Sequence, residues 1–104
     1  MDIEKTNSIH EARAALNQIN MDIAEHPVGS PVREMLEDAA VILETVIWKL
    51  INQDLRQITD DLVRHQQKLQ ELSQEMEDAD ASLEKTTAII SKVATMLNVL
   101  LNFA

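Results

Sequence analysis

Apolar side chains fall on every seventh residue from Val41 to Leu97: Val41, Trp48, Leu55, Leu62, Leu69, Met76, Leu83, Ile90 and Leu97. Three residues further on come Glu44, Ile51, Ile58, His65, Leu72, Ala79, Thr86, Val93 and Leu100, most of them apolar as well. A seven-residue repeat with two apolar positions makes one edge of a helix that another helix has to cover. The pattern specifies assembly and carries no chemistry of its own.

A shorter helix precedes this region. Ser8 and Glu11 have the spacing of a capping box, which predicts a flexible start over 1–7 and a helix over 8–25. Ile9, Ala12, Leu16, Ile19 and Ile23 would share its buried face. The turn at 26–31, His26-Pro27-Val28-Gly29-Ser30-Pro31, holds both prolines and the only glycine. Ser30 followed by Pro31 is a good start for a second helix, because serine caps the free N–H groups and proline suits the first turn.

No glycine or proline follows Pro31, so one long helix is predicted over 31–103. At 1.5 Å per residue it would reach about 110 Å, too long for a lone chain of this size to cover. Residues 39–51 and 88–103 are apolar around much of the helix circumference, whereas 64–80 keep only the narrow heptad edge. Two arrangements bring the broad faces together. One is an antiparallel coiled-coil or helical-bundle dimer centred near residue 67. The other is a monomeric three-helix bundle, folded back at a bend near 64–68 or 77–82 and related to the dimer as a domain swap. The unbroken heptad phase favours the dimer. A parallel coil would stack the acidic run Glu71, Glu75, Glu77, Asp78, Asp80 and Glu84 on itself, whereas the antiparallel one sets it opposite Lys49, Arg56 and Arg64.

Composition agrees with a single all-α domain over 1–104. The only aromatic residues are Trp48 and Phe103, and turn residues are scarce. The net charge of −9 is spread evenly, with no basic stripe, which disfavours nucleic acid and anionic membranes. Cysteine is absent, which excludes disulfides and thiolate chemistry. The polar start Met1–Asn7 does not read as a signal peptide, and a cytoplasmic location is expected. The most apolar stretch, Ala88–Ala104, carries a polar stripe of Ser91, Thr95, Asn98 and Asn102, so it reads as a packed helix rather than a membrane insertion.

Candidate chemistry is sparse. His65 falls inside the heptad seam, where a polar group sets register. Glu44 at a seam position indicates an interface rotated toward Leu43 and Ile47, and Thr86 can satisfy its hydroxyl on its own helix. Asp22/His26 and Asp61/His65 have the four-residue spacing of a metal pair, without an obvious third ligand. Glu34-x-x-Glu37 followed by Glu75-x-x-Asp78 resembles the acidic motifs of the all-α nucleotide pyrophosphohydrolases. That resemblance implies a Mg²⁺-dependent hydrolase whose paired carboxylates hold the metal. The reading preferred on the whole pattern is a non-enzymatic helical oligomerisation or protein-interaction module, with no catalytic residues, metal or cofactor. It would form a homodimer and serve another protein as an adaptor, assembly factor or small acidic chaperone. Its composition is similar to that of small secretion-type chaperones. The expected interface core is Trp48, Leu55, Ile58, Leu62, Leu69, Leu72, Met76, Leu83, Ile90, Val93 and Leu97.

Overall fold

The computed structural model describes residues 2–103, and all its regular elements are helical. Helix α1 spans Asp2–Ala24, α2 Pro31–Asn52, α3 Leu55–Ala79 and α4 Glu84–Leu101, with a single 3₁₀ turn at Ala81–Leu83 leading into α4. Short connections force neighbours in sequence to run antiparallel. Each helix packs on two others, α1 on α2 and α4, and α3 on α2 and α4. The ring closes as an up-down-up-down bundle measuring 39 × 21 × 19 Å.

The second helix begins as its sequence dictates. Ser30 Oγ accepts the Arg33 N–H at 3.2 Å, and Pro31 occupies the first turn. Gly29 before it takes a φ of +86°, which a side chain would strain. The helix over 8–25, by contrast, is corrected at its start. Ser8 is no cap: its hydroxyl donates to Glu4 O at 2.8 Å inside α1, and nothing before it breaks the helix. The inward stripe of α1 is Ser8, Ala12, Ala15, Ile19 and Asp22, with Ile9, Leu16 and Ile23 only flanking it.

The long helix expected over 31–103 is three helices. The first break falls at Gln53–Asp54, where both residues are extended. Asp54 starts α3, and its N–H donates to Gln57 Oε1 at 3.1 Å. The second falls at Asp80, within the 77–82 segment named as a bend, where Asp80 Oδ1 accepts the Ser82 N–H at 3.0 Å. Side-chain caps replace the glycine or proline that would have marked these ends. The folded-back alternative is therefore the nearer one, but with four helices instead of three and no bend at 64–68.

The break at 53–54 also changes which edge is buried. From Leu55 onward most heptad positions point inward: Leu55, Ile58, Leu62, Leu69, Leu72, Met76, Leu83, Ile90, Val93, Leu97 and Leu100 are in the core, while His65 is half-buried and Ala79 exposed. In α2 the buried set is Leu36, Ala39, Leu43, Val46 and Leu50, the same rhythm displaced by two positions, with Ala40 beside it. The rotation toward Leu43 read from Glu44 is present, and Glu44 itself is exposed.

Leu97 is fully buried on α4, which packs on both α1 and α3. Leu97→Ala is expected to lower the unfolding free energy by about 2–5 kcal/mol, read by chemical denaturation. Trp48→Ala, on the outside, should cost less, about 1 kcal/mol, measured at a concentration where the chain is monomeric.

Candidate interaction surface

Two apolar stripes run along α2, and the bundle can bury only one. The stripe left outside is Val41, Trp48 and Ile51, which are 62%, 58% and 51% exposed. Ile47 lies between the stripes and is half-buried against the core. With Leu16 and Arg13 from α1, Glu44, Ile47, Trp48, Ile51 and Asn52 line a shallow groove between the two helices. Of the eleven residues expected at an interface core, ten lie inside the chain's own core, and Trp48 alone is on the surface. The ten are therefore already covered by the chain's own helices, because the break at 53–54 turns α3 under α2.

The groove carries one charge of each sign. Arg13 and Glu44 are both exposed, and among the described residues neither makes a hydrogen bond or ion pair. Neighbouring charges are engaged elsewhere. Lys49 Nζ donates to Asp61 Oδ2 at 2.8 Å and ties α2 to α3, and Arg64 pairs with the same carboxylate. These cations, Lys49 above all, hold the Asp61 carboxyl below its ordinary range. His65 on the same helix is pushed below its usual value by burial.

A second groove lies between the start of α1 and the end of α4, lined by Glu4, Asn7, Ser8, Thr95, Met96 and Val99. At the opposite end, a polar cluster joins the α1–α2 turn to the α3–α4 turn. Asp22 is buried on α1, where it accepts the Thr86 hydroxyl from α4 and the Gln18 amide at 3.2 Å. Thr86 thus finds its partner across the bundle and not on its own helix. His26 Nδ1 donates to the Asp22 carbonyl at 2.7 Å, while its Nε2 lies 3.4 Å from Asp80 Oδ2. Arg33 Nη1 donates to the His26 carbonyl at 2.9 Å. The Asp22 carbonyl, and then Asp80, favour the protonated ring and raise the His26 pKa. Hydrogen bonds from Ser82, and then His26, lower that of Asp80.

The two acid–histidine pairs with metal-like spacing do other work. In Asp22/His26 the ring binds the Asp22 backbone, and Asp61 of Asp61/His65 holds Lys49 and Arg64. Glu34, Glu37, Glu75 and Asp78 all lie on exposed helix surfaces at one end of the bundle. Glu37 lies 3.8 Å from Arg33, and Asp78 accepts the Gln74 amide at 3.0 Å. Among the described residues no three carboxylates or histidines are grouped as a metal site, and no helix is long and apolar enough to cross a membrane.

The sequence pattern missed two features here. The heptad phase runs through the break and so places Trp48 in the seam; the Asp54-x-x-Gln57 spacing is the available signal for that break. The Asp22–Thr86 bond links residues 64 apart, and no local pattern announces it. Comparison with known protein families, curated proteins and solved structures finds no match.

The His26 contact carries a pH signature. A raised pKa means that the stabilisation is fully present below about 6.5, the ordinary value, and fades as pH rises through the folded value. The lowered Asp80 value acts oppositely, its contribution fading as pH falls below 3.8 toward the folded value. His65, lowered by burial, opposes His26 near neutrality, so parent and variant must be compared. The melting temperature of His26→Gln is expected to fall furthest below the parent's between those limits. The gap should narrow as pH rises past neutrality.

Proposed function

We propose that this chain is a non-enzymatic helical interaction module that self-associates, presenting the outer face of α2 to its partner. The observation that carries the reading is the exposed apolar pair Trp48 and Ile51, with Val41 beyond Glu44 on the same edge, on the outside of a bundle whose core is already filled. Scattered surface apolar residues are ordinary in soluble proteins. A row of them along one helix, flanked by charges, is what a partner helix covers. Tryptophan and arginine are also the residue types that most often anchor such contacts. Acidic residues spread over the rest of the surface keep such a chain in solution and discourage indiscriminate association.

The test is hydrodynamic. Sedimentation velocity over a micromolar to sub-millimolar range is expected to show a rise from the 11.7 kDa monomer to twice that mass. A constant monomer mass throughout would remove self-association from the reading. Incubation with nucleoside triphosphates and Mg²⁺ is expected to release no pyrophosphate. Turnover that disappears in Glu37→Gln and Asp78→Asn would replace the module with a hydrolase.

A further inference from the structure

Charge that is evenly spread along the chain is sorted by the antiparallel ring. The ends of α1 and α3 and the starts of α2 and α4 share one end of the bundle. With each helix divided at its middle, that end (residues 14–41 and 68–91) holds eleven acids against three bases, Arg33, Lys68 and Lys85. The other end holds seven acids and six bases. Nearly all of the net charge of −9 therefore lies at one end.

The outer face of α2 crosses this boundary. Glu34, Asp38, Val41, Glu44, Trp48 and Ile51 are exposed along it, acidic at its start and apolar at its finish. The apolar finish lines the groove together with Leu16 and Ile47. Helices α1 and α2 run antiparallel with Lys5 Nζ 3.3 Å from Gln53 O, which sets Arg13 beside Glu44 and balances that carboxylate locally. The same register brings Asn20 and Ala24 of α1 level with Asp38 and Glu34, and neither carries charge. Arg33 lies 3.8 Å from Glu37 and donates to the His26 carbonyl. Glu34 and Asp38 make no hydrogen bond or ion pair among the described residues.

We infer that this face docks an amphipathic helix of another protein, apolar where it fills the groove at Trp48 and Ile51 and basic where it passes Asp38 and Glu34. The inference rests on the interaction-module reading above and names the chemistry of the partner. Charge selects the occupant. Nucleic acid and anionic lipid are repelled by the acidic end. A second copy laid antiparallel sets its near-neutral end there, where Lys49 and Arg64 are already paired with Asp61. A helix bearing free lysine or arginine matches both halves of the face, with apolar burial supplying the anchor and opposite charge the alignment. From Glu34 to Ile51 the face is about 26 Å long, close to five turns of a partner helix. Self-association over the apolar finish alone competes with that helix and is the weaker of the two.

The probe is a helical peptide of about 18 residues built from leucine, lysine and alanine, with leucines on one face of its first half and lysines on the same face of its second. Titrated into the intact chain at a concentration where the chain is monomeric, the fluorescein-labelled peptide is expected to bind saturably by anisotropy. Unlabelled peptide should shift the Trp48 emission to the blue as the exposed ring is covered. A twin with glutamate in place of lysine should bind at least about tenfold more weakly. Glu34→Gln combined with Asp38→Asn should cost about tenfold, and so should Trp48→Ser, each with a thermal melt to confirm folding. Glu75→Gln combined with Glu77→Gln removes the same charge from α3 at the same end and should cost less than about threefold. Equal losses from the two neutralised pairs overturn the inference, because they mean attraction by net charge without a seat on α2. Absence of saturable binding, or binding that leaves the Trp48 emission unmoved, also overturns it. A chain that stays monomeric alone yet binds the lysine peptide removes self-association and leaves this inference standing; a dimer without affinity for the peptide does the reverse.

Discussion

The architecture depends on one constraint: α2 is apolar around more of its circumference than a four-helix ring can enclose. Its inward stripe combines the leucines at 36, 43 and 50 with Ala39 and Val46, large residues alternating with smaller ones. Such alternation lets neighbouring helices approach and interdigitate. The outward stripe has bulkier Trp48 beside charged Glu44, which a closed core would have to desolvate. Choosing the leucine stripe leaves α2 two positions out of phase with α3. A straight helix cannot hold both phases against one core, and the extended pair Gln53–Asp54 absorbs the difference.

Within the ring, polar side chains fix which layers meet. Asp22 and Thr86 join α1 to α4 near one end. On the α3–α4 side, Ser73 Oγ lies 3.1 Å from both Thr87 O and Ser91 Oγ. Lys49 and Asp61 tie α2 to α3. Apolar packing by itself tolerates a slip of one turn with little loss, whereas a buried carboxylate or hydroxyl left without its partner costs about 1–3 kcal/mol. These few contacts therefore select one arrangement among several of similar apolar burial.

Much of this was readable in the chain. The helical class, the turn at 26–31, the Ser30 cap and the inward heptad positions from Leu55 onward follow from spacing and residue type. The break at 53–54 does not stand out, and the one at 80 shows only as the alternative bend over 77–82, because helix ends are usually sought at glycine and proline. Here Gln57 and Asp80 do the work with side-chain oxygens and leave the heptad count intact. The continuous phase that suggested a rod is thus real as a sequence property and broken as a spatial one. The outer stripe of α2 was visible as excess hydrophobicity around residues 39–51, but only the position of α1 decides which of its edges stays exposed. The Asp22–Thr86 bond depends on the fourth helix returning beside the first, which no local spacing encodes.

The slender inward face of α1 has a consequence for how the molecule breathes. Apart from Ile19, its fully buried apolar residues are Ala12 and Ala15, so this helix contributes far less core area than α3 or α4. Free energy of local opening scales with the area that opening exposes. The helix most easily lifted from the ring is therefore α1. Its backbone amides should exchange with solvent through partial openings while those of α3 and α4 wait for complete unfolding. In such an opening Asp22 leaves Thr86, and the remaining three helices are held by contacts between sequence neighbours, which re-form rapidly because little chain must be closed.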